Sequence, residues 1–133
     1  MLKLMSASVG LCTYNAQRHL AKQLDSILQQ THPVAEIVVI DDVSTDGTQD
    51  LLNDYATRYP GIFRLEFNSV NQGAKKNFER LLAECQGDAI FLSDHDDIWA
   101  PQKCRVCWLI LIRIRRTRYC SAMQNSLMMQ VKS

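Results

Sequence analysis

The run Ile37-Val38-Val39-Ile40 sets the tightest limit on what this chain can become. Uninterrupted β-branched residues leave a strand no solvent face, so it must be covered on both sides, as in the parallel sheet of an α/β protein. Its neighbours fit that plan. Residues 8–13 (SVGLCT) make another short apolar segment, and Asn15 stands where the N-cap of a first helix falls. Leu20, Leu24, Ile27 and Leu28 share one face of that helix, and Thr31-His32-Pro33 ends it. Ser44, Thr45 and Asp46 offer caps for a second helix carrying Leu51, Leu52, Tyr55, Ala56 and Tyr59, closed by Pro60-Gly61. Phe63–Phe67 alternates as a strand, and Asn71-Gln72-Gly73 turns the chain into a third helix with Phe78, Leu81, Leu82 and Cys85 on one face, ended by Gly87. Ala89–Ser93 is a fourth strand. The order βαβαβαβ predicts an α/β domain with a mostly parallel sheet, flanking helices and right-handed crossovers.

Ligands of such sheets bind beyond the carboxyl ends of the strands. Tyr14, Asp41, Asp42 and the cluster Asp94-His95-Asp96-Asp97 all follow strand ends, so they are expected to meet in one crevice. Three carboxylates within four positions repel one another unless a cation joins them, and carboxylate oxygens suit Mg²⁺ or Mn²⁺. Such an ion bridges a diphosphate and neutralises charge on it as it leaves. A solvated acidic loop is the plainer reading of an isolated DxD, and His95 suits an exposed loop imidazole better than a ligand of a hard cation. Asp41-Asp42 is either a pair of loop-starting acids or an acceptor for a base ring N–H or a ribose hydroxyl.

Composition narrows the partners. With 47% hydrophobic and 22% charged residues, 133 residues make one globular domain. Residues 1–102 hold all 14 acidic residues against 8 basic ones, whereas 103–133 hold 7 basic and no acidic residue. The body therefore has the wrong sign for nucleic acid, and the charge break marks two segments of different character. Five cysteines without framework spacing, behind no secretory signal pattern, point to a reducing cytoplasm. The apolar run Val106–Ile112 is far short of the roughly 20 residues of a spanning helix.

Four ordered motifs give the sequence a family likeness. SVGLCTYN at 8–15, VVIDDVSTDGT at 38–48, NQGAKKNFERLL at 71–82 and GDAIFLSDHDDIWAPQK at 87–103 together resemble glycosyltransferase family 2, the inverting enzymes of the GT-A fold. LSDHDDIWAPQK is closest to the rhamnosyltransferase-like branch that builds bacterial surface polysaccharides. The resemblance implies an incomplete GT-A nucleotide-sugar-binding domain over 1–102, followed by a basic, apolar tail of unassigned structure over 103–133. It implies that Tyr14 lies against the nucleotide base, that Asp42 recognises it with Asp41 beside it, and that Asp94, Asp96 and Asp97 hold Mg²⁺ or Mn²⁺, with Asp96 also reaching the nucleotide. Lys75 and Lys76 are within reach of a diphosphate, although lysines in a helix's first turns are more often simply solvated, while Trp99 and Pro101 pack the floor of the site. The implied reaction moves a sugar from a dTDP- or UDP-sugar, dTDP-rhamnose in that branch, to a glycan or lipid-linked acceptor at the cytoplasmic face of the membrane.

An inverting transfer also needs a base to take the acceptor proton. In the family it is an Asp or Glu downstream of the DxD, and no acidic residue follows Asp97 here. The motif likeness stops near Lys103, which points to a frameshift or premature stop in the gene and to a competing reading as a non-catalytic fragment that at most binds nucleotide. Cys104-x-x-Cys107 has no second ligand pair for zinc and no thioredoxin-like setting. Alternating apolar and basic residues from Trp108 to Arg118 permit a peripheral membrane contact, though they form no clean helical face. A phospho-receiver domain would need acids after the first strand, where this chain has Thr13-Tyr14-Asn15.

Overall fold

The computed structural model describes residues 6–93, 97–107, 119–121 and 128–131. Strands β1 (Ala7–Thr13), β2 (Glu36–Asp41), β3 (Phe63–Phe67) and β4 (Ala89–Ser93) alternate with helices α1 (Gln17–Leu28), α2 (Thr48–Arg58) and α3 (Ala74–Glu84). Two further strands, β5 (Tyr119–Ser121) and β6 (Met128–Val131), complete the sheet order β3-β2-β1-β4-β6-β5. The first four strands are mutually parallel, and β6 runs antiparallel to both β4 and β5. The parallel sheet and its helices are therefore as the periodicities predict. The segment after Lys103, whose sequence assigns no element, supplies the two antiparallel strands.

Alternation along the strands sorts the core into two layers. Val9, Leu11, Ile37, Val39 and Phe91 face α1 and α2, where they join Leu20, Leu24, Ile27, Leu52 and Tyr55. Val38, Ile40, Ile90 and Leu92 face the other way and meet Leu81 and Cys85 of α3. The Ile-Val-Val-Ile run is thus buried on both faces, which is why it carries no polar residue. Tyr55 ties α2 to α1 through a 2.6 Å hydrogen bond from its hydroxyl to Asp25 Oδ1.

Gly10 lets α3 sit close on the sheet. A Cβ there would lie 3.0 Å from Leu92 Cδ2 and 3.3 Å from Leu81 Cβ. Gly10→Ala is expected to cost about 1–3 kcal/mol by overpacking, measured as a lower urea midpoint with an unchanged slope. A variant as stable as the parent would show that α3 is less tightly seated than this.

Among the described residues, no helix is long and apolar enough to cross a membrane. Cys104 and Cys107 are buried in the core layer of α1. Burial, with Cys107 nearby adding to it, pushes the Cys104 thiol up to about 12, so it stays protonated and unreactive at neutral pH.

Candidate nucleotide site at the strand ends

Register places the site before any side chain is considered. Thr13 stands beside Asp41, and Asp41 beside Phe67, so three parallel strands finish level. The ladder runs on past them: Asp42 N–H donates to Thr13 O at 2.9 Å, and Asn68 N–H to Asp41 O at 2.9 Å. Cys12, Thr13, Tyr14, Asp42, Ala74, Asn77 and Phe78 line a cavity of 270 Å³ at this edge. That is near the lower end of ligand pockets, roughly 300–1,000 Å³, and suits a base and its sugar better than a whole sugar nucleotide. Tyr14 is 58% exposed, which leaves its ring free to cover a base.

The two adjacent carboxylates do different work. Asp41 is fully buried, and both its oxygens are committed to protein donors. Oδ1 accepts from Thr13 Oγ1 and Ser44 Oγ, each at 2.6 Å, while Oδ2 accepts from Ser44 N at 3.0 Å and Gln49 Nε2 at 2.9 Å. Between Asp42 and Ser44 lies Val43, at φ 62°. A β-branched residue in the left-handed region is strained, and the grip of Asp41 on Ser44 holds that turn.

Asp42 sits over the start of α3. Its Oδ1 accepts from Gln72 N at 2.8 Å and Asn68 Nδ2 at 3.0 Å, and its Oδ2 from Gly73 N at 3.1 Å. Gly73 adopts φ 84°, which aims that N–H back at the carboxylate. Burial works against the charge, but hydrogen bonds from Asn68, Gln72 and Gly73, with Asn77 adding to them, outweigh it and hold the carboxyl below its ordinary 3.8. Asp42 is therefore ionised at neutral pH. Oδ1 has two donors and Oδ2 has Gly73 N, with the Asn77 side chain also bonding the carboxylate, so a ligand N–H or O–H that reaches Asp42 from the cavity shares an oxygen with these donors. The Gln72 and Gly73 amides just before α3 serve Asp42, so neither is available to a phosphate. Lys75 and Lys76 stand exposed one and two positions beyond Ala74.

Asn15 does not cap its own helix. It lies at φ 47°, Ala16 takes the N-cap position, and Asn15 Oδ1 instead accepts from Thr45 N at 2.7 Å and Asp46 N at 3.3 Å. This bond locks the loop after β1 to the loop after β2, so Tyr14 and Asp42 are set relative to each other. Gly47 is the N-cap of α2 and has no side chain to cap it, its own N–H donating to Gln17 Oε1 at 2.9 Å, while Asp46 Oδ1 receives Thr48 N at 2.9 Å.

Asp94, His95 and Asp96 lie outside the described residues. Ser93, the last residue of β4, is buried beside Leu11 of β1 and takes a 2.8 Å hydrogen bond from Gln23 Nε2, a support that no sequence motif announces. β4 thus ends next to the strand that ends in Thr13. Asp97 Oδ2 is 3.4 Å from Lys103 Nζ, which in turn lies 4.8 Å from the Trp99 ring centre. Among the described residues, no group of three potential ligands converges on one point. Trp99 packs against Phe91 with ring centres 5.9 Å apart and donates its backbone N–H to Ser26 Oγ at 2.9 Å. Pro101 reaches α1's far end, where its carbonyl accepts Thr31 N–H at 2.8 Å.

Comparison with known proteins accounts for this arrangement. The dTDP-rhamnosyl transferase RfbG of Shigella flexneri is 38% identical over 98 residues, covering 70% of this chain and 34% of that protein. A mannosyltransferase of Pyrobaculum calidifontis, solved with GDP-Man and Mn²⁺, superposes with TM-score 0.67 at 27% identity over 73% of this chain and 29% of its own. S. aureus TarS 1-349 in complex with UDP-GlcNAc superposes with TM-score 0.73 at 26% identity, over 82% and 32% respectively. The chain spans about a third of the length of the relatives it matches. Strand ends that gather an ionised aspartate and an exposed tyrosine agree with a match to the model of Glycosyl transferase family 2 over residues 8–123, which runs past Lys103, and the chain belongs to that family.

Proposed function

We propose that this chain forms the donor-binding part of a glycosyltransferase, taking a nucleotide sugar with the help of a divalent cation. The convergence of Tyr14, Asp42 and Asn77 on one cavity at the strand ends carries this reading. Tyr14 covers the base, and Asp42 Oδ2 accepts a hydrogen bond from a ring N–H or a ribose hydroxyl. Asp41 holds the turn that presents Asp42. Asp94, Asp96 and Asp97 are the residues to hold Mg²⁺ or Mn²⁺, with Asp96 also reaching the nucleotide. Their oxygen-only donor set suits such an ion, which when bound supplies charge neutralisation for the diphosphate. The similar mannosyltransferase was solved with GDP-Man and Mn²⁺, and TarS with UDP-GlcNAc. RfbG, a dTDP-rhamnosyl transferase, supports a dTDP-sugar donor and the TarS complex a UDP-sugar, and the reading is completed by a glycan or lipid-linked acceptor in surface polysaccharide synthesis.

A second reading is that residues 1–133 bind nucleotide without transferring sugar by themselves. Calorimetry with UDP, dTDP and Mn²⁺, repeated with EDTA, tests the first step. Binding that weakens about tenfold or more on chelation is expected. No heat with any nucleotide would overturn both readings. Incubation with UDP- and dTDP-sugars then separates them, because release of free nucleotide without another polypeptide would sink the non-catalytic reading.

A further inference from the structure

We infer that Arg80, which lines no part of the cavity, positions the nucleotide-binding carboxylate through Asn68. The inference rests on Asp42 being the base-binding group. Asn68 lies in the loop after β3 and faces two ways. Its Oδ1 accepts from Arg80 Nη1 at 2.7 Å, and its Nδ2 donates to Asp42 Oδ1 at 3.0 Å and to Asn77 Oδ1 at 2.9 Å. Chemistry fixes which end goes where. A guanidinium can only donate and an ionised carboxylate can only accept, so the amide has one satisfied orientation.

Arg80 is held from its other side by Glu66 on β3. Both side chains are partly in water, at 43% and 35% exposure, so this ion pair contributes little to stability by itself. Its consequence is geometric. Glu66 fixes the guanidinium, the guanidinium fixes and polarises Asn68, and Asn68 joins Gln72 N on Asp42 Oδ1, which sets the plane in which the carboxylate meets the cavity. Asn77, buried and lining the cavity, shares the same amide, so the inner wall moves with Asn68. Removal of Arg80 frees Asn68 to turn about its terminal bond and lets Asp42 swing.

A double-mutant cycle on the full chain, read by calorimetry with UDP and with CDP in the presence of Mn²⁺, tests this. Uracil offers a ring N–H to Asp42 and cytosine offers an acceptor there, so UDP binding reports the carboxylate and CDP serves as its control. Arg80→Ala is expected to weaken UDP about tenfold and CDP less than twofold, with Arg80→Lys restoring most of the loss. In an Asp42→Asn background Arg80→Ala is expected to change UDP affinity less than twofold, because the group it acts through is gone. Asn68→Ala provides a second background should Asp42→Asn fold poorly. Equal losses for UDP and CDP, or the same loss in both backgrounds, would overturn the inference and make Arg80 a general support of the fold. If Asp42→Asn itself leaves UDP unaffected, the base-binding reading of Asp42 fails and the role of Arg80 falls with it.

Discussion

Asp42→Asn is expected to weaken UDP or dTDP binding about tenfold to a hundredfold, the range set by one hydrogen bond to a charged group. The substitution keeps the shape and removes the charge. It also turns an amide N–H₂ towards one of Gln72 and Gly73, whose backbone donors now meet separate carboxylate oxygens at 2.8 and 3.1 Å. Stability should therefore fall by a few degrees in melting midpoint as well, and the two effects can be told apart by pH. The folded carboxyl lies below its ordinary 3.8 because its hydrogen bonds outweigh the cost of burial. A group with a lowered folded pKa contributes stability that is fully present above 3.8 and is lost as pH falls through the lowered folded value. Urea midpoints of parent and variant should differ most near neutrality and converge as the solution is acidified from about pH 4 downwards. A constant gap at all pH values would mean that Asp42 is no more ionised in the folded chain than in the unfolded one.

Most of the parallel sheet was legible in the sequence because its signals are local and repeated. Ile37 to Ile40 allows only a doubly covered strand, and Leu20, Leu24 and Ile27 allow only one buried helical face. Capping was less legible. Asn15 has the composition of an N-cap but turns to φ 47° and bonds to the loop after β2, a choice decided by a partner 30 positions away. The pair Asp41-Asp42 shows the same limit: identical side chains, of which one is saturated by Thr13, Ser44 and Gln49 while the other stands over a helix start. Only tertiary structure assigns those donors. Asn68 and Arg80 carry no motif at all, since their relation to Asp42 crosses from a loop to a helix. β5 and β6 lie in a segment whose sequence assigns no element, and the pairing of β6 with β4, and then of β5 with β6, comes from a sheet edge that accepts any extended backbone. Asp94, His95 and Asp96, the densest chemical signal in the sequence, lie outside the described residues, so the proposed metal site rests on donor chemistry and on the position of Ser93.

Asp41→Ala should have the larger effect on folding, a loss of about 3–5 kcal/mol and a melting midpoint lower by about 10 °C or more. Each of the four hydrogen bonds that end on this carboxylate leaves a donor behind, and Asp41 is fully buried, so water does not replace it without opening the sheet end. Val43 adds to the loss. Its φ of 62° is tolerated because Ser44 is anchored by both its N–H and its hydroxyl. Once released, the turn relaxes towards an ordinary backbone and carries Asp42 away from the cavity. Asp41→Asn distinguishes anchoring from charge: its carbonyl can still accept from Ser44 N or Gln49, so about half of the stability should return. Nucleotide affinity, measured on the fraction still folded at low temperature, should follow the turn, with Asn retaining more than Ala. If Asp41→Ala melted like the parent yet lost nucleotide binding, the division between the two aspartates would be reversed, with Asp41 the one that faces the ligand.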